Sequence, residues 1–320
     1  MKVIDIVEKA KAEGRTRFAF ELLPPLKGEG TQGVFDAIDP LVEFDPAYIN
    51  VTYHREDVKY VERGDGLLER RIVRRRPGTV GISAAIMKRY GVEVVPHLIC
   101  GGMSRYDIED ALIDLDFLGI NNVLALRGDN LRGENSFRPY EHGHRYACDL
   151  VKQVSDMNRG VFVDGEVDEC HHSSFCIGVA GYPEKHAEAP NKAADLANLK
   201  AKVDAGASYI VTQMSFDNGK ILAFIDDCRN AGIDVPVIPG IKPLSTKSQL
   251  TMLPQIFHVD LPEELVKEVN KCRNNAEVRE LGVEWATSQG RGLMAAGVPA
   301  LHFYTMGKTD NMVKIARELF

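Results

Sequence analysis

Glu21 stands inside the apolar run FAFELLPP (residues 18–25), where a carboxylate is out of place unless something compensates it. Burial disfavours the charged form and raises the pKa, which makes such a group a natural general acid. A structural carboxylate paired with an arginine is the other reading. Other polar residues end or interrupt apolar runs in the same way: Thr52 in NVTY, His97 in VPHLI, Asp129 in ALRGD and Gln213 in IVTQM. His97 reads equally as a satisfied core histidine. Arg127-Gly128-Asp129 reads equally as an ordinary strand-to-loop turn, since Gly-Asp is common turn chemistry.

The elements that must position these groups are eight β-rich runs at residues 17–23, 47–53, 93–99, 122–127, 175–182, 208–214, 235–241 and 300–306. Each is followed by a helix-like stretch, and their near-continuous apolar character suits strands buried on both faces. The fold class is therefore α/β, a (β/α)8 TIM barrel, whose functional groups belong at the carboxyl ends of the strands. At 320 residues and 44% hydrophobic the chain can form one such barrel of about 250 residues plus loops, a single catalytic domain over residues 1–320.

Individual helices are legible. Ser104 with Asp107 predicts a capping box, Ile108, Ala111, Leu112, Leu115 and Leu118 make one stripe, and Gly119 ends it. Leu196, Leu199 and Val203 form a second stripe, with Asp195, Asn198 and Lys202 repeating about a hundred degrees away, so that all three can reach one extended ligand. An exposed, solvated face is the alternative for that triplet. Val3, Ile6 and Val7 among charges predict an extra N-terminal amphipathic helix, and about 60 residues between the seventh and eighth strands predict extra helices there, including the run from Asn275 to Ala296. Residues 67–81 and 130–145 are excursions, and 163–174 reads as a loop.

Net charge −7 argues against general affinity for nucleic acid or an anionic membrane, because no excess of Lys and Arg neutralises phosphates. The N-terminus lacks the continuous apolar core of a signal peptide, and no apolar run reaches the roughly 20 residues that span a bilayer. Six scattered cysteines form no dense framework, so a reducing cytoplasm is expected. Cys170, His171, His172 and Cys176 have no second ligand pair at matching spacing, and no metal site is expected. The basic run Arg70, Arg71, Arg74, Arg75 and Arg76 reads as a solvated face, or as an attractor for a polyglutamate tail or a nucleotide phosphate.

Taken in order, FELLPP (20–25), VTY (51–53), PHLIC (96–100), ALRGD (125–129), YPEKHAEA (182–189), ADLANLKAKVDAGA (194–207), TQMSFD (212–217), IPGIKPLS (238–245) and HFYT (302–305) resemble the motifs of the methylenetetrahydrofolate reductase family, bacterial-type catalytic domain. The resemblance implies a barrel that holds FAD, is reduced by NADH or NADPH, and reduces 5,10-methylenetetrahydrofolate to 5-methyltetrahydrofolate by ping-pong hydride transfer. It implies Glu21 as the acid that protonates the departing folate amine, and Asp129 as a carboxylate near the flavin that also stabilises a cationic iminium. Flavin contacts are implied for Tyr53, His97, Arg127, Gly128, Asp129, Ala147, Tyr182, His186, Ala189, Asp195, Asn198 and Lys202, with Lys202 against the diphosphate. Substrate contacts are implied for Thr52, Gln213, Gln249 and Lys308. At the last of these the family's usual Arg is Lys, which loses a bidentate grip on a carboxylate.

The chain departs from the family pattern at His54-Arg55-Glu56, where a small residue is common, and FELLPP and TQMSFD lack aromatic residues that relatives often carry. Stacking on the nicotinamide or pterin is expected either to be weaker or to be supplied by Phe216 and Tyr304. Fold alone does not fix function, and two alternatives stay open: a TIM-barrel aldolase, which needs a carboxylate and His cluster or a lysine ending a strand, and a non-catalytic flavin- or folate-binding sensor. A homo-oligomer is expected, and with the sequence stopping at Phe320 no appended regulatory domain is expected.

Overall fold

The computed structural model describes residues 1–55, 57–130, 136–167, 171–306 and 309–320, leaving aside the side chains of Ile72 and Glu166. Eight strands close a parallel barrel: β1 (Arg17–Leu22), β2 (Tyr48–Val51), β3 (Val94–Ile99), β4 (Asn122–Leu126), β5 (Cys176–Gly181), β6 (Tyr209–Met214), β7 (Val237–Ile241) and β8 (Ala300–Tyr304). Every strand pairs with its sequence neighbours, and β8 returns to β1 with Arg17 opposite Ala300 and Glu21 opposite Tyr304. Each strand lies within two residues of its predicted run.

The helices are α1 (Val3–Ala12), α2 (Gln32–Ile38), α3 (Thr79–Tyr90), α4 (Arg105–Phe117), α5 (Ala147–Met157), α6 (Lys192–Asp204), α7 (Asn218–Asn230), α8 (Gln249–Phe257), α9 (Glu263–Lys271), α10 (Asn275–Ala295) and α11 (Asp310–Leu319). The capping box at Ser104 forms as expected: its hydroxyl accepts from the Asp107 amide at 3.1 Å, and the Asp107 carboxylate accepts from the Ser104 amide at 2.7 Å. Three helices, α8 to α10, fill the long connection before β8 and bury their own cluster of Leu253, Leu265, Val269 and Val278.

Two hydrophobic regions follow from the strand alternation. Outward side chains such as Phe18, Phe20, Ile49, Leu98 and Ile210 pack under the helices. Inward ones, including Ala19, Tyr48, Val95, Leu124, Tyr209, Ile238 and Ala300, fill the barrel, and Val3 and Val7 of α1 join that cluster. Asn122 pins α1 at the amino end of β4, accepting from the Val3 amide at 2.8 Å and donating to the Met1 carbonyl at 3.0 Å. The amino-terminal end of the barrel is thus plugged, and chemistry is left to the other end.

The 67–81 excursion resolves into an antiparallel hairpin of Asp57–Glu62 with Leu68–Val73, followed by α3. Its arginines are partly tied: Arg71 to Glu69 at 2.9 Å, Arg75 to Asp57, and Arg76 to the Pro24 carbonyl. Within the expected 163–174 loop, a two-residue ladder pairs Val161–Phe162 with Gly165–Glu166. Among the described residues no helix is long and apolar enough to cross a membrane.

Candidate active site at the barrel mouth

Glu21 is the last inward residue of β1, level with Tyr304 on β8 and Asn50 on β2. Its backbone carbonyl accepts from the Thr305 hydroxyl at 2.8 Å, which holds the strand end in place. Burial pushes its carboxyl up from 4.5 to about 7, and the nearby Lys242 ammonium partly opposes that rise. Among the described residues Glu21 forms no ion pair with an arginine. The arginine partner that the structural alternative calls for is not found there.

Beside it, the end of β2 places Thr52 with its hydroxyl 3.2 Å from the Leu22 carbonyl and 3.3 Å from His54 Nε2. Tyr53 follows, partly buried. Arg55 then lies across Gly101 and Gly102 at the end of β3, where a Cβ on Gly102 would come within 3.2 Å of its side chain. His97 is 7% exposed with Nε2 unpartnered, and burial, followed by the neighbouring His302 and His54, lowers its pKa to about 3. It is a neutral imidazole with an unmet hydrogen bond.

At the end of β4, Gly128 has φ +83°, a conformation other residues resist, and a Cβ there would approach the Ile99 side chain to 3.2 Å. The chain can pass close to a flat ligand here. Arg127 makes a bidentate pair with Glu188, at 2.8 Å for its Nη2, and its guanidinium lies 5.0 Å from the Phe137 ring. Asp129 is exposed beyond it, while the Oδ1 of Asn130 is buried without a partner.

Tyr182 and His186 meet edge to face at 4.8 Å after β5, and the Asp195 carboxylate on α6 accepts from the His186 amide at 3.0 Å. Lys202, two turns along, donates to the Ala180 carbonyl at 2.6 Å and lies 5.9 Å from the Tyr182 ring. Burial lowers its pKa to about 8, against the opposing pull of Asp195. Asp195 and Lys202 thus turn toward the loop after β5, whereas Asn198 is exposed. Ala189 is buried in that loop, and Ala147 opens α5.

On β6 the register shifts between Val211 and Met214, and Gln213 sits in that irregularity with its Oε1 accepting from the Met214 amide at 3.0 Å. The Oε1 of Gln249 accepts from the amides of Ser245 and Thr246 at 2.6 and 3.3 Å, so that oxygen shapes the entry to α8. Lys308 lies outside the described residues. Phe216 corrects the expectation placed on it: it is 1% exposed, its ring buried in the cluster of Leu253, Leu265 and Val278. Tyr304 does stand at the mouth, its hydroxyl donating to the Thr212 carbonyl at 2.7 Å.

Sequence reasoning passed over Lys242, His302 and Glu184. Lys242 follows β7 and is 4% exposed, with burial lowering its pKa to about 8. His302 is 1% exposed, stacked 6.3 Å from Tyr48, and held neutral by burial with a pKa near 3. Glu184 accepts from the Ser215 hydroxyl at 3.0 Å, and burial raises its pKa. The signal that found Glu21, a polar residue closing a buried run, applies to Lys242 as well.

One end of the barrel therefore collects a carboxyl with a raised pKa, a buried ammonium, an amide and two imidazoles that burial disfavours as cations. Among the described residues no three His, Cys, Asp or Glu side chains are grouped to hold a metal ion; Cys176 lies in the barrel interior and the exposed His171 pairs with Asp116 at 3.4 Å.

Comparison with known proteins places the chain in a family. The chain is 33% identical over 314 residues to 5,10-methylenetetrahydrofolate reductase of Salmonella typhimurium (strain LT2), covering 97% of this chain and 93% of that one. It is 32% identical over 311 residues to the Escherichia coli (strain K12) enzyme of that name, with the same coverage. Against methylenetetrahydrofolate reductase (NADH) 1 of Arabidopsis thaliana it is 32% identical over its whole length but spans 51% of that protein, about half. Among solved structures, an uncharacterized protein from Clostridium thermocellum that binds two copies of 5-methyl-5,6,7,8-tetrahydrofolic acid superimposes with a TM-score of 0.58, 98% coverage of both chains and 12% identity, a likeness of fold. The sequence profile of methylenetetrahydrofolate reductase matches residues 6–319, and the chain belongs to that enzyme family.

Proposed function

We propose that this protein reduces 5,10-methylenetetrahydrofolate to 5-methyltetrahydrofolate with NADH or NADPH, in two half-reactions at one FAD. The observation that carries the reading is Glu21: a carboxyl at the carboxyl end of β1 that holds its proton to about pH 7, in a chain of this family. Support of a coarser kind comes from a protein of the same fold that binds 5-methyltetrahydrofolic acid.

The residues at the mouth fit a flavin. Gly128 offers the close approach of backbone that a planar ring needs, and the buried Nε2 of His97 and Oδ1 of Asn130 carry unmet hydrogen bonds. Tyr53, Tyr182, His186, Ala147 and Ala189 would wall the site, with Arg127 and Asp195 orienting it and Lys202 supplying positive charge for the diphosphate. Asn198 would contact its outer edge. When bound, FAD carries hydride from the nicotinamide to the folate one-carbon unit.

Opening the folate's five-membered ring needs a proton on the departing amine, and Glu21 gives it in passing from acid to carboxylate. The carboxylate left behind, together with Asp129, faces the cationic carbon centre that results and stabilises it in a partly desolvated site. Thr52 and Gln213 orient the nicotinamide and the pterin in turn, which makes the kinetics ping-pong. Gln249 and Lys308 contact the rest of the folate. A cytoplasmic homo-oligomer is the setting we propose.

The test is Glu21→Gln. Under anaerobic conditions the variant should still bleach bound flavin with NADH within a few-fold of wild type, and should lose folate reduction by roughly 10²-fold, the size expected of a lost general acid. Equal loss in both half-reactions would make Glu21 structural. One observation favours a second reading: Lys242 ends a strand, as a Schiff-base aldolase requires. Covalent capture of a carbonyl compound on Lys242 by borohydride, in protein that shows no flavin bleaching, would support the aldolase instead.

A further inference from the structure

Lys242 is a buried ammonium at the mouth, and the register of the strand it follows indicates its level. Gly240 of β7 is opposite His302 of β8, and Glu21 of β1 is opposite Tyr304 of β8. Ile241 is opposite Phe303, so continuing that register by one residue past the end of β7 carries Lys242 to the level of Tyr304, the partner of Glu21. Gly240 makes room, since a Cβ there would lie 2.5 Å from the Tyr304 ring, and the ring leans past it to reach the Thr212 carbonyl at 2.7 Å.

An ammonium at 4% exposure is expensive to keep, and an apolar side chain of similar length would serve packing better. Among the described residues Lys242 forms no hydrogen bond and no ion pair, and Glu21 is the charged group whose field reaches it. Burial lowers the lysine and raises the carboxyl, and each charge opposes the other's shift. Without the ammonium, burial would act on Glu21 unopposed. A carboxyl that binds its proton too tightly is a poor donor, and general acids work best with affinities near the working pH.

We propose that Lys242 is a positioning residue for the acid, its ammonium fixing the pH range over which Glu21 is loaded with a proton and keeping that proton transferable. This rests on the reading of Glu21 as the acid. The buried phenols and imidazoles around the pair do not compete near neutrality. Tyr304 faces Glu21, Tyr182 and Tyr48, and burial raises all three phenols. His302 and His97 are held neutral with pKa values near 3, and His54, which faces His97, Arg76 and Asp129, is lowered as well.

The experiment uses the flavin-loaded enzyme as Lys242→Met, Lys242→Gln and Lys242→Arg, the glutamine variant serving should the methionine variant fail to fold. The Glu21 carboxyl is titrated directly, by infrared difference spectra of protein labelled with 13C-carboxyl glutamate and assigned by subtraction of Glu21→Gln. Removal of an opposite charge at close range moves a carboxyl by about one unit or more, so the neutral variants should titrate at least tenfold less readily, with a midpoint above wild type, and Lys242→Arg should stay near wild type. The alkaline limb of folate reduction should move upward by the same amount in the neutral variants. An unmoved carboxyl midpoint in a folded neutral variant would overturn the proposal. A moved midpoint with an unmoved folate limb would instead overturn the assignment of Glu21 as the acid, and with it the catalytic role of Lys242.

Discussion

Replacing Glu21 by glutamine should change stability in a pH-dependent way whose size the structure sets. The carboxyl binds its proton more tightly folded than unfolded, with its pKa raised from 4.5 to about 7. Below pH 4.5 both states are protonated and the fold loses nothing. As pH rises through this window the unfolded chain gives up the proton while the folded chain keeps it, so stability falls until the folded group also ionises near 7. Each unit is worth about 1.4 kcal/mol, which puts the full cost of ionised Glu21 at about 3 kcal/mol. Residual solvent contact at the mouth makes that an upper figure.

Glutamine carries no such proton, so the difference in unfolding free energy between variant and wild type should grow from near zero at pH 4 to about 3 kcal/mol in favour of the variant at pH 7. Denaturant titrations at half-unit pH steps measure it. Lys242 keeps its ammonium through most of this window, since its pKa is about 8. A difference that stays flat from pH 4 to 7 would refute the assignment of a raised pKa to Glu21, whatever the variant does to turnover.

Lys202→Ala and Asp195→Ala should each lower flavin occupancy and melting temperature, and added FAD should restore the latter, because ligand at a hundredfold over its dissociation constant stabilises by about 2.7 kcal/mol; full occupancy in both would make α6 plain surface. Asp129→Asn should raise the flavin midpoint potential in a redox titration and slow folate reduction by roughly tenfold, its charge lying exposed beyond β4; neither changing would remove Asp129 from the site. Gly178→Ala places a Cβ 2.4 Å from the buried Tyr209 ring, and should cost about 1–3 kcal/mol of overpacking in thermal unfolding.

How much of this was legible in the sequence depends on where each side chain finds its solvent. The eight strands were readable because both of their faces are buried, leaving runs such as AYINVTY and SYIVTQM that no helix period explains. The hairpin of Asp57–Glu62 and Leu68–Val73 was not, since its residues are largely exposed on both faces and the apolar and charged positions of its second strand, LERRIV, do not alternate. Phe216 misled for a related reason. Two residues past β6 the chain has left the barrel, and the ring turns into the core built by the three inserted helices.

Lys242 shows the limit most directly. Lys242 closes an apolar run as other singled-out residues do, but a lysine before a proline also reads as solvated loop, and nothing local decides that it will be 4% exposed. Its burial is a property of closure: β7 lies between β6 and β8, and the inward alternation that places Gly240 under the Tyr304 ring carries the next inward position to the rim. The same alternation sets Tyr48 and Tyr209 among the apolar side chains of the interior and Glu21 at its open end. Charge is thus confined to the rim by what fills the levels below it, and the two titratable groups that stand there, one from β1 and one following β7, sit on either side of β8, which contributes a ring and no charge. The nearness of carboxyl and ammonium is a consequence of the closed barrel, and it becomes readable once the strands are counted in register.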